Sequence, residues 1–285
     1  MIQTTPPPSS FLSTHIPQLL ITGLLIIYSL ARNRLTPVGV LAAALTALIH
    51  CLAPTALPFT LLVVFFLSGT LATRVNHVRK ASLTQSSSGG SGAEGPRNSS
   101  QVLANSAAAS IVILSSLLFP KTVTSRMLVT GVAANYAAAA ADTLSSELGI
   151  LSASSPFLVT APWKRVPRGT NGGVTIAGLG AGLLGSAIIS TAVLVFERDL
   201  GYAATFLGFG MAGTVLDSVL GALVQATVED KGSGRVIEGE NGRRVLVSSG
   251  GSRVQRGNDL LNNNGVNFVM TASITVAAMV LVAYR

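Results

Sequence analysis

Eight apolar runs divide this chain, each at or near the length needed to cross a bilayer. They are Ile16–Ala31, Pro37–Ala53, Ala56–Ala72, Val102–Phe119, Met127–Leu148, Val174–Phe196, Tyr202–Val228 and Val266–Tyr284. A spanning helix needs about 20 residues, with a range of roughly 17–25. The first three are near the short limit, and two of them could form one hairpin. The fifth is the least apolar, being alanine-rich with Asp142 and Glu147 near its end. The expected fold is an all-α membrane protein, a polytopic bundle of about eight transmembrane helices (range ~6–9). It forms a single integral membrane domain over residues 1–285.

Charge content supports that reading. Only 11% of the 285 residues are charged, while 49% are hydrophobic. Soluble domains carry about 25% charged residues, so composition excludes an ordinary soluble enzyme. The single cysteine, Cys51, excludes an intrachain disulfide framework and a cysteine-based zinc site. Met1–Ser10 has three prolines and no basic residue, which fits neither a cleaved signal peptide nor a transit peptide. The first span is then an uncleaved anchor, and the endoplasmic reticulum is the expected membrane.

The net charge of +8 has a spatial pattern. The loops after spans one, three, five and seven hold 15 of the 19 Lys and Arg residues. The other 4 are Lys121, Arg126, Arg198 and Arg285. The positive-inside rule places the rich side in the cytoplasm and both termini on the opposite side. The Asn98-Ser99-Ser100 sequon then faces the cytoplasm and stays unglycosylated. The bases do not interleave with aromatics in a soluble segment, so nucleic acid is not an expected partner. Membrane lipid is.

Two cytoplasmic loops are long. Residues 81–100 are rich in Ser and Gly and read as a flexible insertion. In residues 229–261, Arg235-Val236-Ile237 and Arg244-Val245-Leu246-Val247 flank Asn241-Gly242. That pair favours a tight turn, so a small cytoplasmic β-hairpin is expected before the last helix.

Ionisable groups inside a membrane are costly and mark candidate functional sites. Asn135, Ala139, Asp142 and Ser146 share one helical face, with Glu147 close by at the helix end. Gly210, Gly213, Asp217, Gly221 and Gln225 form a second face, whose glycines admit a close neighbour. The loop holding Lys164, Arg165, Arg168, Thr170, Asn171, Gly172 and Gly173 places three bases before a Thr-Asn-Gly-Gly turn at a helix start. Free backbone N–H groups and the helix dipole there suit an anion. Asn263, Asn264 and Asn267, with Asn262, form a fourth polar patch, of which one residue serves as a helix cap. Gly180-Ala181-Gly182-Leu183-Leu184-Gly185 matches G-x-G-x-x-G but lies inside a spanning run, so it reads as helix packing. His15, His50 and His77 have no partner at metal spacing and read as structural.

Carboxylates beside an anion site suit Mg²⁺ bridging nucleotide phosphates, and phosphoryl transfer needs little else. In this reading Asp142 and Glu147 hold the metal, and Asp217 binds metal or orients the acceptor. The Lys164–Gly173 loop and the asparagine patch hold phosphates. The site faces the cytoplasm.

Several stretches resemble the transmembrane protein 19 family, also called the DUF92 integral membrane family. They are the run from Ala141 to Gly149, the loop from Val166 to Val174, Asp217-Ser218-Val219-Leu220-Gly221-Ala222 with Gln225, and Asn263-Asn264-Gly265-Val266-Asn267. Arg97-Asn98 followed by Gln101-Val102-Leu103-Ala104-Asn105 also fits. The resemblance covers roughly residues 35–285. The family commonly has tryptophan at Leu144 and a second aspartate at Asn263, and neither departure removes a proposed carboxylate. A plant chloroplast member is a phytyl-phosphate kinase, and related membrane kinases use CTP. The resemblance therefore implies transfer of a phosphoryl group from CTP or a similar nucleoside triphosphate to an isoprenyl monophosphate. A membrane transporter or lipid carrier, and a non-catalytic scaffold, are the competing readings.

Overall fold

The computed structural model describes residues 8–88, 92, 95–239, 244–247 and 251–284, with side chains from residue 15 onward. Among these residues, eight long helices coincide with the eight apolar runs. They are α1 (Pro8–Ala31), α2 (Pro37–Cys51), α3 (Leu57–Arg74), α5 (Ser99–Leu118), α6 (Ser125–Gly149), α7 (Ile176–Glu197), α8 (Leu200–Val224) and α9 (Asn263–Ala283). A short helix, α4 (His77–Ala81), follows α3. Five of the long helices, α3, α5, α7, α8 and α9, are both long and apolar enough to cross a membrane. α2 and the apolar part of α1 are shorter, and α6 falls below that apolarity despite its 25 residues.

Most long helices begin where a polar side chain receives the first free N–H groups. Thr36, Thr124, Thr175, Asp199 and Asn262 each accept from a backbone N–H three residues on. Asn98 and Gln101 close a reciprocal capping box at α5. These caps also fix where each loop ends.

α6 is the axis of the bundle and touches α3, α5, α7, α8 and α9. Residues 128–141 are buried without a break. Its low apolarity follows from its place: the alanines face neighbouring helices, so the helix needs no bulky lipid-facing residues. Small side chains let the neighbours approach backbone to backbone. A Cβ on Gly185 of α7 would fall 2.4 Å from the Ala140 carbonyl oxygen, and one on Gly213 of α8 would fall 2.5 Å from the Ala138 Cβ. Gly182 and Gly185, the last two glycines of the G-x-G-x-x-G match, are thus contact points on α6. Gly180 has nothing within 4 Å. The outer surface is apolar, with Leu24, Leu41, Leu118 and Leu281 among many exposed aliphatic side chains.

Inside the bundle, polar groups tie helices together. Asn135 of α6 donates to the Asn105 carbonyl of α5 at 2.8 Å and accepts from Thr275 of α9 at 3.5 Å. His50 of α2 bonds the Thr46 carbonyl through Nδ1 at 2.8 Å and the Tyr136 hydroxyl of α6 through Nε2 at 2.7 Å. The carbonyl can only accept, so Nδ1 carries the proton and Nε2 accepts from tyrosine. This histidine is structural, as its sequence context indicates.

The four base-rich loops share one end. Leu35 bridges Arg97, and Asn171 bonds Ala226 and Thr227. β1 (Gln85–Ser86) joins a sheet with β5 (Thr227–Asp230), β6 (Val236–Glu238) and β7 (Arg253–Arg256), in the order β1-β6-β5-β7. The loop after α6 forms its own antiparallel sheet from β2 (Phe157–Leu158), β3 (Ala161–Arg165) and β4 (Gly173–Val174). At the opposite end Arg126 pairs with Glu197 at 3.7 Å and lies 3.4 Å over the Tyr202 ring.

Two expectations change. The segment 81–100 is not wholly a flexible insertion, since Gln85–Ser86 pair in parallel with β6 and Asn98 caps α5. The hairpin exists but is displaced. Arg235–Ile237 overlaps β6 as expected, yet its antiparallel partner is β5, and residues 244–247 form no strand. The proposed turn at Asn241-Gly242 lies outside the described residues. The displacement arises because the run read as helix to Val228 ends at Val224. Gln225 turns to extended backbone, and β-branched Thr227 and Val228 begin a strand. Asp230 closes the real turn by accepting from the Gly232 and Ser233 N–H groups at 3.1 and 2.8 Å. The Ser233 N–H, then the Ser233 side chain, hold the Asp230 carboxyl below the usual carboxylate range.

Glycine contacts on α6 give a direct test. Gly185→Ala forces helices apart and lowers stability by about 1–3 kcal/mol. Gly180→Ala, in open space, is neutral or stabilising by up to about 1 kcal/mol. Thermal unfolding in detergent separates the two; equal melting temperatures would contradict the α6-centred packing.

Candidate functional site

The base-rich end of the bundle opens into a cavity of about 460 Å³, within the usual range of ligand sites. Its floor is formed by α6 and α8. Asp142 lies in the last two turns of α6, where the alanine run gives way to Asp142-Thr143-Leu144-Ser145-Ser146-Glu147. Asp217 lies on α8, one turn beyond Gly213. Because Gly213 sits directly on Ala138, α8 runs close enough for the two carboxyl groups to meet. Asp142 and Asp217 line the same cavity on facing turns of α6 and α8, with Thr214 one turn before Asp217 on α8. Asn267, on the first turns of α9, satisfies its neighbours when its amide nitrogen faces inward, donating to Asp217 Oδ1 at 3.2 Å and to the Asn263 carbonyl at 3.2 Å. Three helices thus meet at one acidic pair.

Two carboxylates so placed cannot both stand bare. A shared proton or a cation must offset their repulsion. The donors here are hard oxygens with no sulfur or imidazole among them, which suits Mg²⁺ in type. Mg²⁺ commonly takes one or two carboxylates and completes its shell with water and substrate phosphate.

Glu147 does not join them. Its Oε2 pairs with Lys80 of α4 at 2.5 Å, and the Thr73 hydroxyl lies 2.8 Å from Oε1. Lys80 also donates to the Ala72 and Thr73 carbonyls at the end of α3, a favoured place for a cation. Among the described residues no three His, Cys, Asp or Glu side chains converge. The proposed metal set of Asp142, Glu147 and Asp217 is therefore a pair plus a separate, ion-paired glutamate.

The basic loop also departs from its expected role. Lys164 and Arg165 lie on exposed β3, outside the cavity lining, and Arg165 donates to the Ser155 carbonyl at 2.9 Å. Arg168 reaches the cavity wall, but its guanidinium donates to the carbonyls of Ile150, Ser152 and Ala153, just past the end of α6. It caps a helix C-terminus instead of presenting charge. Thr170 donates to the Pro167 carbonyl at 2.8 Å, and Asn171 bonds the Ala226 carbonyl and Thr227 at 2.8 and 3.0 Å. The Gly173 N–H goes to the Thr170 carbonyl. Gly172 has φ +76°, and a Cβ there would meet the Ser218 carbonyl of α8 at 2.7 Å. These residues line the cavity as a clasp between α6 and α8, with most of their N–H groups already paired. The start of α7 is closed as well. Thr175 caps it, and Gly178 packs on Gly149.

Asn262 is the α9 cap, while Asn263, Asn264 and Asn267 line the cavity. Sequence reasoning missed Lys80, Arg97, Thr73 and Thr214. Lys80 counted only toward orientation, and Arg97 toward orientation and the family resemblance but not the site. The Asn98…Gln101 capping box was the available signal for Arg97, because it fixes that arginine just before α5.

Comparison with known proteins follows the same lines. The family model described as "Integral membrane protein DUF92" matches residues 20–275. "Protein PGR" of Arabidopsis thaliana is 32% identical over 290 residues, covering 92% of this chain and 95% of that protein. An uncharacterised membrane protein of Methanocaldococcus jannaschii is 40% identical over 95 residues, 33% of this chain and 40% of its own. "Protein VTE6, chloroplastic" of Arabidopsis thaliana is 30% identical over 154 residues, 54% of this chain and 45% of its own. No solved structure gives a significant match.

The Lys80–Glu147 pair is mostly buried, so removing one partner strands the other charge. Lys80→Met alone and Glu147→Leu alone should each destabilise by about 3 kcal/mol. The double variant should recover most of that loss. A thermal-unfolding mutant cycle reads it; strictly additive losses would deny the coupling.

Proposed function

Because this chain belongs to the DUF92 integral membrane family, we propose that it is a membrane kinase that moves a phosphoryl group from a nucleoside triphosphate, CTP or similar, to an isoprenyl monophosphate. The observation that carries the proposal is the placing of Asp142 and Asp217, from two closely packed helices, on the lining of one polar cavity in a lipid-embedded bundle. The resemblance of the motif-bearing stretches to a phytyl-phosphate kinase supports the substrate class. In this reading all eight long helices cross the membrane, and the base-rich end lies in the cytoplasm.

Asp142 and Asp217 would hold Mg²⁺, which supplies charge neutralisation at phosphate oxygens when bound. Asn267 positions Asp217 from α9. A phosphate oxygen of the acceptor attacks the γ-phosphorus of the nucleotide. The bond from γ-phosphorus to the β-bridging oxygen breaks, and the nucleoside diphosphate leaves with that electron pair. The product is an isoprenyl diphosphate. The acceptor is already anionic, so no strong general base is needed, and positioning and charge carry the rate. The cationic group comes from Arg97 rather than from Lys164 and Arg165, because Lys80 is committed to Glu147 and the end of α3. The transporter reading gains less support, because the polar lining gathers at one end instead of both.

Purified protein with CTP or ATP, Mg²⁺ and farnesyl, geranylgeranyl or phytyl monophosphate should yield the corresponding diphosphate. Intact protein that gives no product with any pair would reject the kinase. Asp142→Asn and Asp217→Asn should each cut turnover at least about 100-fold, within the range of lost charge stabilisation, at unchanged helix content. A glycosylation tag in residues 81–100 should stay unmodified, and its modification would reverse the orientation.

A further inference from the structure

Part of the cavity lining, called its arm below, is less polar. Leu62, Phe66, Gly69 and Thr73 follow one another at spacings of 4, 3 and 4 on one face of α3, and all but Gly69 line the cavity. Ala43 and Thr46 of α2 line the same arm. α2 and α3 hold each other near their connecting turn, where Ala47, Cys51 and Phe59 cluster. Ala43 and Phe66 lie further toward the base-rich end and are only half-buried. Both helices carry apolar outer faces, with Leu41, Leu45, Leu67 and Leu71 exposed.

Arg97 stands where this arm meets the polar floor. Its backbone is pinned, with its N–H donating to the Arg34 carbonyl and its carbonyl accepting from Thr36, both at 3.0 Å. Its guanidinium lies over Gly69, where a Cβ would come within 3.5 Å of it, and it donates to Thr73 at 3.1 Å. Thr73 in turn touches Glu147, whose charge Lys80 already offsets. Among the described residues Arg97 forms no ion pair. A guanidinium carries five N–H donors in a fork that matches phosphate oxygens. A preplaced cation beside an apolar slot is the complement of an anionic head on a hydrocarbon chain.

We propose that the arm between α2 and α3 receives the hydrocarbon chain of the acceptor, entering sideways from the bilayer, and that Arg97 at its mouth holds the acceptor phosphate. The inference rests on the isoprenyl-phosphate reading above and assigns that ligand a place and a positioning residue. The Thr170–Gly173 clasp has its N–H groups largely paired, so it competes poorly for this phosphate.

The test uses the full-length protein in lipid nanodiscs and a farnesyl monophosphate bearing a diazirine at the chain end. Nucleotide is left out, so the readout does not depend on catalysis. Photolabelling should fall on peptides containing Ala43–Ala47 and Leu62–Phe66, and unlabelled farnesyl phosphate should suppress it. Ala43→Trp, which fills the arm, should reduce labelling at least tenfold. The phosphate should compete at least tenfold better than farnesol in the native protein. Arg97→Gln should bring that ratio close to one, while Arg97→Lys restores part of it. Label confined to other helices, or a ratio unchanged in Arg97→Gln, would overturn the inference. The native labelling map decides even if a variant fails to fold. Labelling of the arm by a protein that makes no diphosphate would reject the kinase alone. Diphosphate formation with label elsewhere would reject this placement alone.

Discussion

Everything in this bundle depends on how closely α7 and α8 approach the backbone of α6. The alanine run from Ala137 to Ala141 offers no side chain larger than a methyl group, and Gly182, Gly185 and Gly213 offer none at all. In lipid there is little hydrophobic gain from bringing helices together, so close van der Waals packing and interhelical polar bonds must do it. That requirement accounts for the low apolarity of α6. A helix sheathed by five others gains nothing from leucine and would lose its neighbours to it.

The same closeness creates the acidic pair. One turn past Gly213, α8 carries Asp217, and four residues past Ala138, α6 carries Asp142. Helices held apart by larger residues would leave those carboxyls to separate partners. Here both carboxyls line one cavity, with Asn267 of α9 beside Asp217. A structural packing device thus places two costly charges where only a proton or a cation can reconcile them.

Basic residues at the crowded end divide into three uses. Lys80 and Arg168 receive the carbonyls at the ends of α3 and α6, completing helices that the membrane cannot solvate. Lys164 and Arg165 stand on an exposed strand outside the cavity lining. Arg97 is held by the α1–α2 connection and faces the cavity. Counting charge by loop treats these as equivalent. Their acceptors make them different.

The eight apolar runs that become helices, and the grouping of the base-rich loops at one end, are legible in the chain alone, because helix length and polarity are local properties. It also singled out Asp142 and Asp217, since a carboxylate in an apolar run is conspicuous wherever the chain goes. Which groups meet is set by packing between distant segments. Glu147 went to Lys80 rather than to Asp142, and Gly172 answered to the α8 backbone rather than to a phosphate. The hairpin paired with Thr227–Asp230 instead of residues 244–247. Each of these outcomes turns on contacts between segments far apart in the chain. Spacing along one helix records which face a residue shares, and says nothing of what another helix brings to that face.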